Sequence, residues 1–123
     1  MLFDLKWWGG RTMSDPDVKF QEIEEIAAER ARVGNAYLEF LRIPSMSAGV
    51  YVLGADSPDR QSPHRQDELY YVLHGRARMR AGTQDQAVRP GTLIFIAAGV
   101  EHRFYDIEEE ISLLVFFAPA ETE

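Results

Sequence analysis

"HRQDELYYVLHG", residues 64–75, decides the fold. Apolar and aromatic residues run through it as in a strand bound for a core, yet it carries His64 and Glu68 at a fixed spacing and closes on Gly75. Alternate side chains of a strand share a face, so His64, Glu68, Tyr70 and Val72 point one way while Leu69, Tyr71 and Leu73 point the other. A glutamate directed into a barrel is costly unless a positive charge compensates it. A metal ion is one such charge.

The surrounding sequence fits a sheet. From Tyr37 onward, short runs rich in Val, Ile, Leu, Tyr and Phe alternate with Gly, Pro, Asp and Ser: "AYLEFLRI", "GVYVLGA", "ELYYVLHG", "RARMRA", "QAVRP", "TLIFIAA", "HRFYDI" and "ISLLVFFAPA". Seven or eight strands with no helix between them predict an antiparallel sandwich or barrel over residues 35–123. The acid run Glu108 to Glu110 reads as a solvated turn between two of them. Upstream, residues 14–34, "SDPDVKFQEIEEIAAERARVG", predict one helix. Ser14 or Asp15 caps it, Pro16 suits its first turn, Gly34 ends it, and Phe20, Ile23, Ala27 and Ala31 form its apolar stripe. Residues 1–13 differ in character, with Trp7 and Trp8 ahead of two glycines. They read as an upstream start or an added extension, or as a native segment that packs its tryptophans on the barrel or on a partner chain.

Composition narrows the chemistry. The chain has 123 residues, enough for one core, and no cysteine, so a metal must be held by nitrogen and oxygen. A formal net charge of -7 argues against nucleic acid and anionic membrane surfaces as partners. No long apolar run and no secretory pattern is visible, which predicts a soluble, cytoplasmic protein.

Two stretches at fixed spacing resemble the signature motifs of the cupin superfamily. His64, Glu68 and Gly75 fall on the second histidine, the glutamate and the closing glycine of the first motif. Gly91, Gly99 and His102 fall on the second motif, with Ala97 in place of its proline and Asp106 in place of its asparagine. The 15 residues between Gly75 and Gly91 match the short spacer of small single-domain members. The resemblance implies an all-β fold, a cupin-type double-stranded β-helix (jelly-roll barrel) with one N-terminal α-helix. It also implies one divalent metal ion, Fe(II), Mn(II), Ni(II) or Zn(II), on His64, Glu68 and His102.

The position of the family's first histidine holds Ser62, a poor ligand, and Gln61, Gln66 or water is left to fill that vacancy, water ranking first. Tyr70 and Phe104, with Phe95 or Ile94, are candidates to line a substrate pocket. His74 reads as structural and exposed. Arg76, Arg78 and Arg80 share the outer face and pair with carboxylates, while Ala77 and Met79 look inward. Two functions stay open. One is a metal-dependent dioxygenase or isomerase acting on a small organic molecule. The other is a non-catalytic ligand-binding or sensory barrel with a degenerate metal site. Similarity to small cupins also implies a homodimer.

Overall fold

The computed structural model describes residues 17–60 and 62–122. The expectations for residues 1–13, for Ser14, Asp15 and Pro16, and for Gln61 fall outside the described residues. Helix α1 spans Ile23–Val33, and six strands follow: β1 (Tyr37–Ile43), β2 (Met46–Leu53), β3 (Asp67–Ala81), β4 (Gln84–Val88), β5 (Leu93–Ile96) and β6 (His102–Ala118). All pair antiparallel in one sheet of order β1-β2-β6-β3-β4, with β5 also on β3. This is the all-β barrel with one N-terminal helix that the sequence predicts. No helix among the described residues is long and apolar enough to cross a membrane.

Two long strands replace four expected short ones. "ELYYVLHG" and "RARMRA" fuse into β3, and "HRFYDI" and "ISLLVFFAPA" fuse into β6, which takes in Glu108 to Glu110 as exposed strand residues and not as a turn. Bulges make the fusion possible. In β3 the buried positions are Glu68, Tyr70 and Val72, then Ala77 and Met79, so the inward parity switches across His74–Gly75. In β6 it switches between Phe104 and Ile107, at Asp106 with its φ of 52°. One inserted residue moves every later side chain to the other face, and the bend lets each strand serve both halves of the barrel. Gly75 carries the bend at φ 91°, where a Cβ would collide with the Glu110 carbonyl oxygen of the paired strand.

The barrel is filled by Tyr70, Val72, Met79, Phe104, Ile111, Leu113, Val115 and Phe117, with Tyr37 and Tyr51 from β1 and β2. Arg76, Arg78 and Arg80 lie outside as expected, paired with Glu109 and Asp85. His74 is exposed on β3.

Helix α1 is shorter than residues 14–34, and its buried face differs from the predicted stripe. Residues 17–22 are not helical, and Glu22 is the N-cap with no side-chain capping bond. Gly34 ends the helix with φ 87°, its N–H donating to Arg30 O at 2.9 Å. Only Ile26 is buried, against Leu38 and Val50 on the outer face of β1 and β2. Phe20 is 74% exposed, and Ile23, Ala27 and Ala31 are exposed too. The sheet beneath the helix offers room for one turn's anchor, which overrides the sequence stripe.

Candidate functional site

Two loops carry the site and are tied together by backbone. Gly99 donates its N–H to His64 O at 2.8 Å, and Ala98 donates to Asp67 Oδ1 at 2.9 Å. The 97–100 turn closes on itself through Val100 N–H to Ala97 O, which requires Gly99 at φ 80°. His102 then opens β6 facing Glu68, the first inward residue of β3.

At the centre, His102 Nε2 lies 3.1 Å from Glu68 Oε1 and 3.2 Å from the Tyr70 hydroxyl, with all three groups buried. His102 Nδ1 is 2.9 Å from Val100 O. A carbonyl only accepts, so Nδ1 carries a proton and Nε2 presents either a lone pair or a second proton. A lone pair facing a carboxylate is unfavourable. The pair therefore holds a positive charge between them, a proton or a bound cation. Burial alone pushes the His102 imidazolium down, but the Glu68 carboxylate 3.1 Å from Nε2, the hydrogen bond to the Val100 carbonyl and the charge of Asp59 raise it above the usual histidine value. Neither Glu68 oxygen meets a hydrogen-bond donor in good geometry.

His64 lies in the same end of the barrel but is turned aside. Its ring centre is 6.3 Å from that of His102 and 4.8 Å from that of Phe117, and its Nδ1 is 3.1 Å from Glu121 Oε2. Among the described residues no three His, Cys, Asp or Glu side chains converge on one metal-holding point. Of the expected triad, Glu68 and His102 meet, and His64 stands off.

Glu121, which no sequence pattern singles out, lies buried against His64 at this end of the barrel. The C-terminal segment is strapped across this end of the barrel: Glu121 N–H donates to Ser47 Oγ at 2.9 Å, Arg42 Nη2 donates to Glu121 O at 2.8 Å, and Gln66 Nε2 donates to Thr122 Oγ1 at 2.7 Å. Gln66 is thereby drawn to Thr122. Asp59 is another such residue; it accepts from the Tyr51 hydroxyl at 3.1 Å and from Phe104 N–H at 2.9 Å. Burial, then the charge of Asp59 and this hydrogen bond, push the Tyr51 phenol far up, so it stays a donor. Neither acid lies in a periodic pattern, and no local signal marks them.

Tyr70 and Phe104 form the floor below His102, with ring centres 5.1 Å apart. Phe95 does not line the interior: it is 65% exposed on the outer face of β5, because Ile94 and Ile96 take the inward positions. A cleft of ≈ 330 Å³ opens beside His102, lined by Asp59, Ser62, Pro63, Glu101 and Arg103 among others. Ser62 thus faces this cleft. A second cleft of ≈ 490 Å³ between β4 and β5 is lined partly by Met79, Val88, Ile94 and Ile96.

Comparison with known proteins agrees with this architecture. The family profile described as the cupin domain matches residues 50–118. An uncharacterized protein of Streptomyces coelicolor is 43% identical over 105 residues, 85% of this chain and 100% of that one. A Bacillus halodurans crystal structure superposes with a TM-score of 0.73 at 17% identity, covering 89% of this chain and 87% of that one. An RmlC-like cupin from Shewanella frigidimarina does so at 0.63 and 17% identity, over 68% of this chain and 75% of that one.

Proposed function

The chain belongs to the cupin family, and from that premise we propose that it is a small-molecule-binding cupin that holds one divalent cation at Glu68 and His102, with His64 as a third ligand. The observation that carries this is the buried Glu68 carboxylate, whose two oxygens lack a hydrogen-bond donor while Oε1 lies 3.1 Å from His102 Nε2. Two ligand atoms on one ion at bond lengths of about 2.1 Å stand about 3 Å apart. The donor chemistry fits as well. Both imidazoles have Nδ1 engaged by an acceptor, Val100 O or Glu121, which leaves Nε2 as the coordinating atom and supplies the outer partner that metal-bound histidines use. Ligation by His64 requires its ring to swing toward His102. Once bound, a divalent ion supplies Lewis acidity or a centre for oxygen activation, which suits dioxygenase or isomerase chemistry.

The chain's own groups have simpler tasks. Val100 O fixes the His102 tautomer and ring plane, and the Tyr70 hydroxyl holds a proton 3.2 Å from Nε2. The Phe104, Val115 and Phe117 side chains exclude water from the floor. A second reading is favoured by the His64–Glu121 contact and by Ser62: a non-catalytic ligand-binding barrel in which a protonated His102 neutralises Glu68. Elemental analysis of untagged protein, with titration of Fe(II), Mn(II), Ni(II) and Zn(II), separates them. A stoichiometric ion lost in Glu68→Gln supports the metal reading. A protein that refuses all four ions overturns it.

A homodimer fits the same barrel, and we infer its surface. Leu69 faces Phe95 and Tyr71 faces Leu93 across the β3–β5 ladder, giving two apolar rows on the outer face of the sheet. The face continues through Leu114 to the part that α1 covers. Under a two-fold axis these flat rows meet their own copies, which is the self-complementarity of a closed dimer.

A further inference from the structure

We propose that the cleft beside His102 recognises a small organic acid through its carboxylate, with Arg103 as the anchoring residue and the Ser62 hydroxyl as a second donor. This rests on the small-molecule-binding reading above, places the ligand in this cleft and names its class. The cleft lining carries two guanidinium groups, Arg80 and Arg103, beside two carboxylates, Asp59 and Glu101. Arg80 and Arg103, both in the lining, are direct partners across the β3–β6 ladder. Like charges placed opposite each other in a sheet are destabilising, so the pair calls for anions. Asp85 supplies one, but it is shared: Arg78 Nε and Arg80 Nη2 each lie 3.1 Å from it, and the Tyr105 hydroxyl donates to it as well.

Arg103 is left with the Tyr105 ring, 5.5 Å from its guanidinium carbon, and among the described residues no carboxylate lies within ion-pair distance of it. The half-buried Asp59 in the same cleft has both oxygens engaged by Tyr51 and Phe104, and Glu101 at the rim is exposed. The Tyr105 ring also lies 5.0 Å from the Arg80 guanidinium, so one aromatic ring contacts both guanidinium groups. A planar fork held this way suits a carboxylate. Ser62, where an imidazole would fill the space, leaves a hydroxyl donor and room for the acid, and ≈ 330 Å³ matches a small molecule.

Isothermal titration of the full chain with succinate and malonate, against the neutral diamides of the same skeletons, tests this. The expected result is that the diacids bind at least about tenfold more tightly than the diamides. Arg103→Gln removes that preference, and Arg103→Lys restores part of it by keeping the charge without the fork. Arg103 is exposed, so a thermal melt matching the parent protein is expected for both variants. No binding of the diacids, equal affinity for acids and amides, or a preference that survives Arg103→Gln each overturns the proposal. The ion content of the unmodified protein is decided separately and does not enter this comparison.

Discussion

Replacing Gly75 by alanine tests whether the bend in β3 is what closes the barrel. Two costs add. Gly75 sits at φ 91°, in the left-handed region, where an L side chain costs about 1–2 kcal/mol. The new Cβ also meets the backbone carbonyl of Glu110, with the Ile111 Cα 2.7 Å away, and a backbone obstacle inside a paired sheet cannot rotate aside. Overpacking of that kind costs about 1–3 kcal/mol. The sum is about 2–5 kcal/mol, or roughly 8–20 °C of melting temperature at about 4 °C per kcal/mol for a domain of this size. Gly91 is the internal control: its φ is 94°, but a Cβ there meets nothing within 4 Å, so Gly91→Ala isolates the conformational part. Urea unfolding with an unchanged m-value is the assay, read as the shift in midpoint. If Gly75→Ala loses no more stability than Gly91→Ala, the close approach of the two bent strands is not what fixes the fold.

Four further outcomes follow from the site and its surroundings. Ser62→His places an imidazole in the cleft beside His102, and divalent-ion affinity measured by calorimetry should rise at least about tenfold. Ion affinity in the parent protein should fall as the pH drops through neutrality, because the His102 imidazolium, held above the usual histidine value, must shed a proton to coordinate; a flat profile would count against histidine ligation. Hydrogen bonding from Tyr105, then from Arg80 and Arg78, holds the Asp85 carboxyl below its usual value despite the opposing effect of desolvation. Its contribution is therefore present above the unfolded pKa near 3.8 and lost as pH falls through the lower folded value, so Asp85→Asn should melt earlier at pH 7 and match the parent in strong acid. For the proposed dimer, the parent protein should sediment at twice the chain mass and Phe95→Lys, at a side chain 65% exposed, at the monomer mass with its fold intact; an unchanged mass would remove β5 from the interface.

The features readable in the sequence were those that recur at a fixed step along the chain. Glu68, Tyr70 and Val72 alternate as a half-buried strand must, and Ala77 and Met79 follow the same rule beyond the bulge. Gly34, Gly75 and Gly99 mark left-handed positions that few other residues occupy comfortably. Where the reading departed from the structure, a distant partner decided the outcome. The α1 stripe through Phe20 and Ile23 lost to Ile26 because Leu38 and Val50 lie under that turn alone. Hydrophobicity leaves Phe95 and Ile94 as equal candidates for the interior, and pairing of Phe95 with Leu69 and of Ile94 with Tyr70 settles it for Ile94. Glu108 to Glu110 has the composition of a turn, yet pairing of Arg76 with Glu109 keeps it in the strand.

The sequence by itself determined the strand periodicity, the turn glycines and the two motifs that carry Glu68 and His102, because each depends on neighbours within a few residues. Only the tertiary structure decided that Glu68 and His102 meet in the interior, that His64 turns to Glu121 and that Arg103 faces Arg80 across the β3–β6 ladder. Those relations join residues from 23 to 57 positions apart in the chain, on the numbering of the sequence. Their geometry is set by how two bent strands close the barrel and where the C-terminal segment crosses its end, which no local pattern encodes.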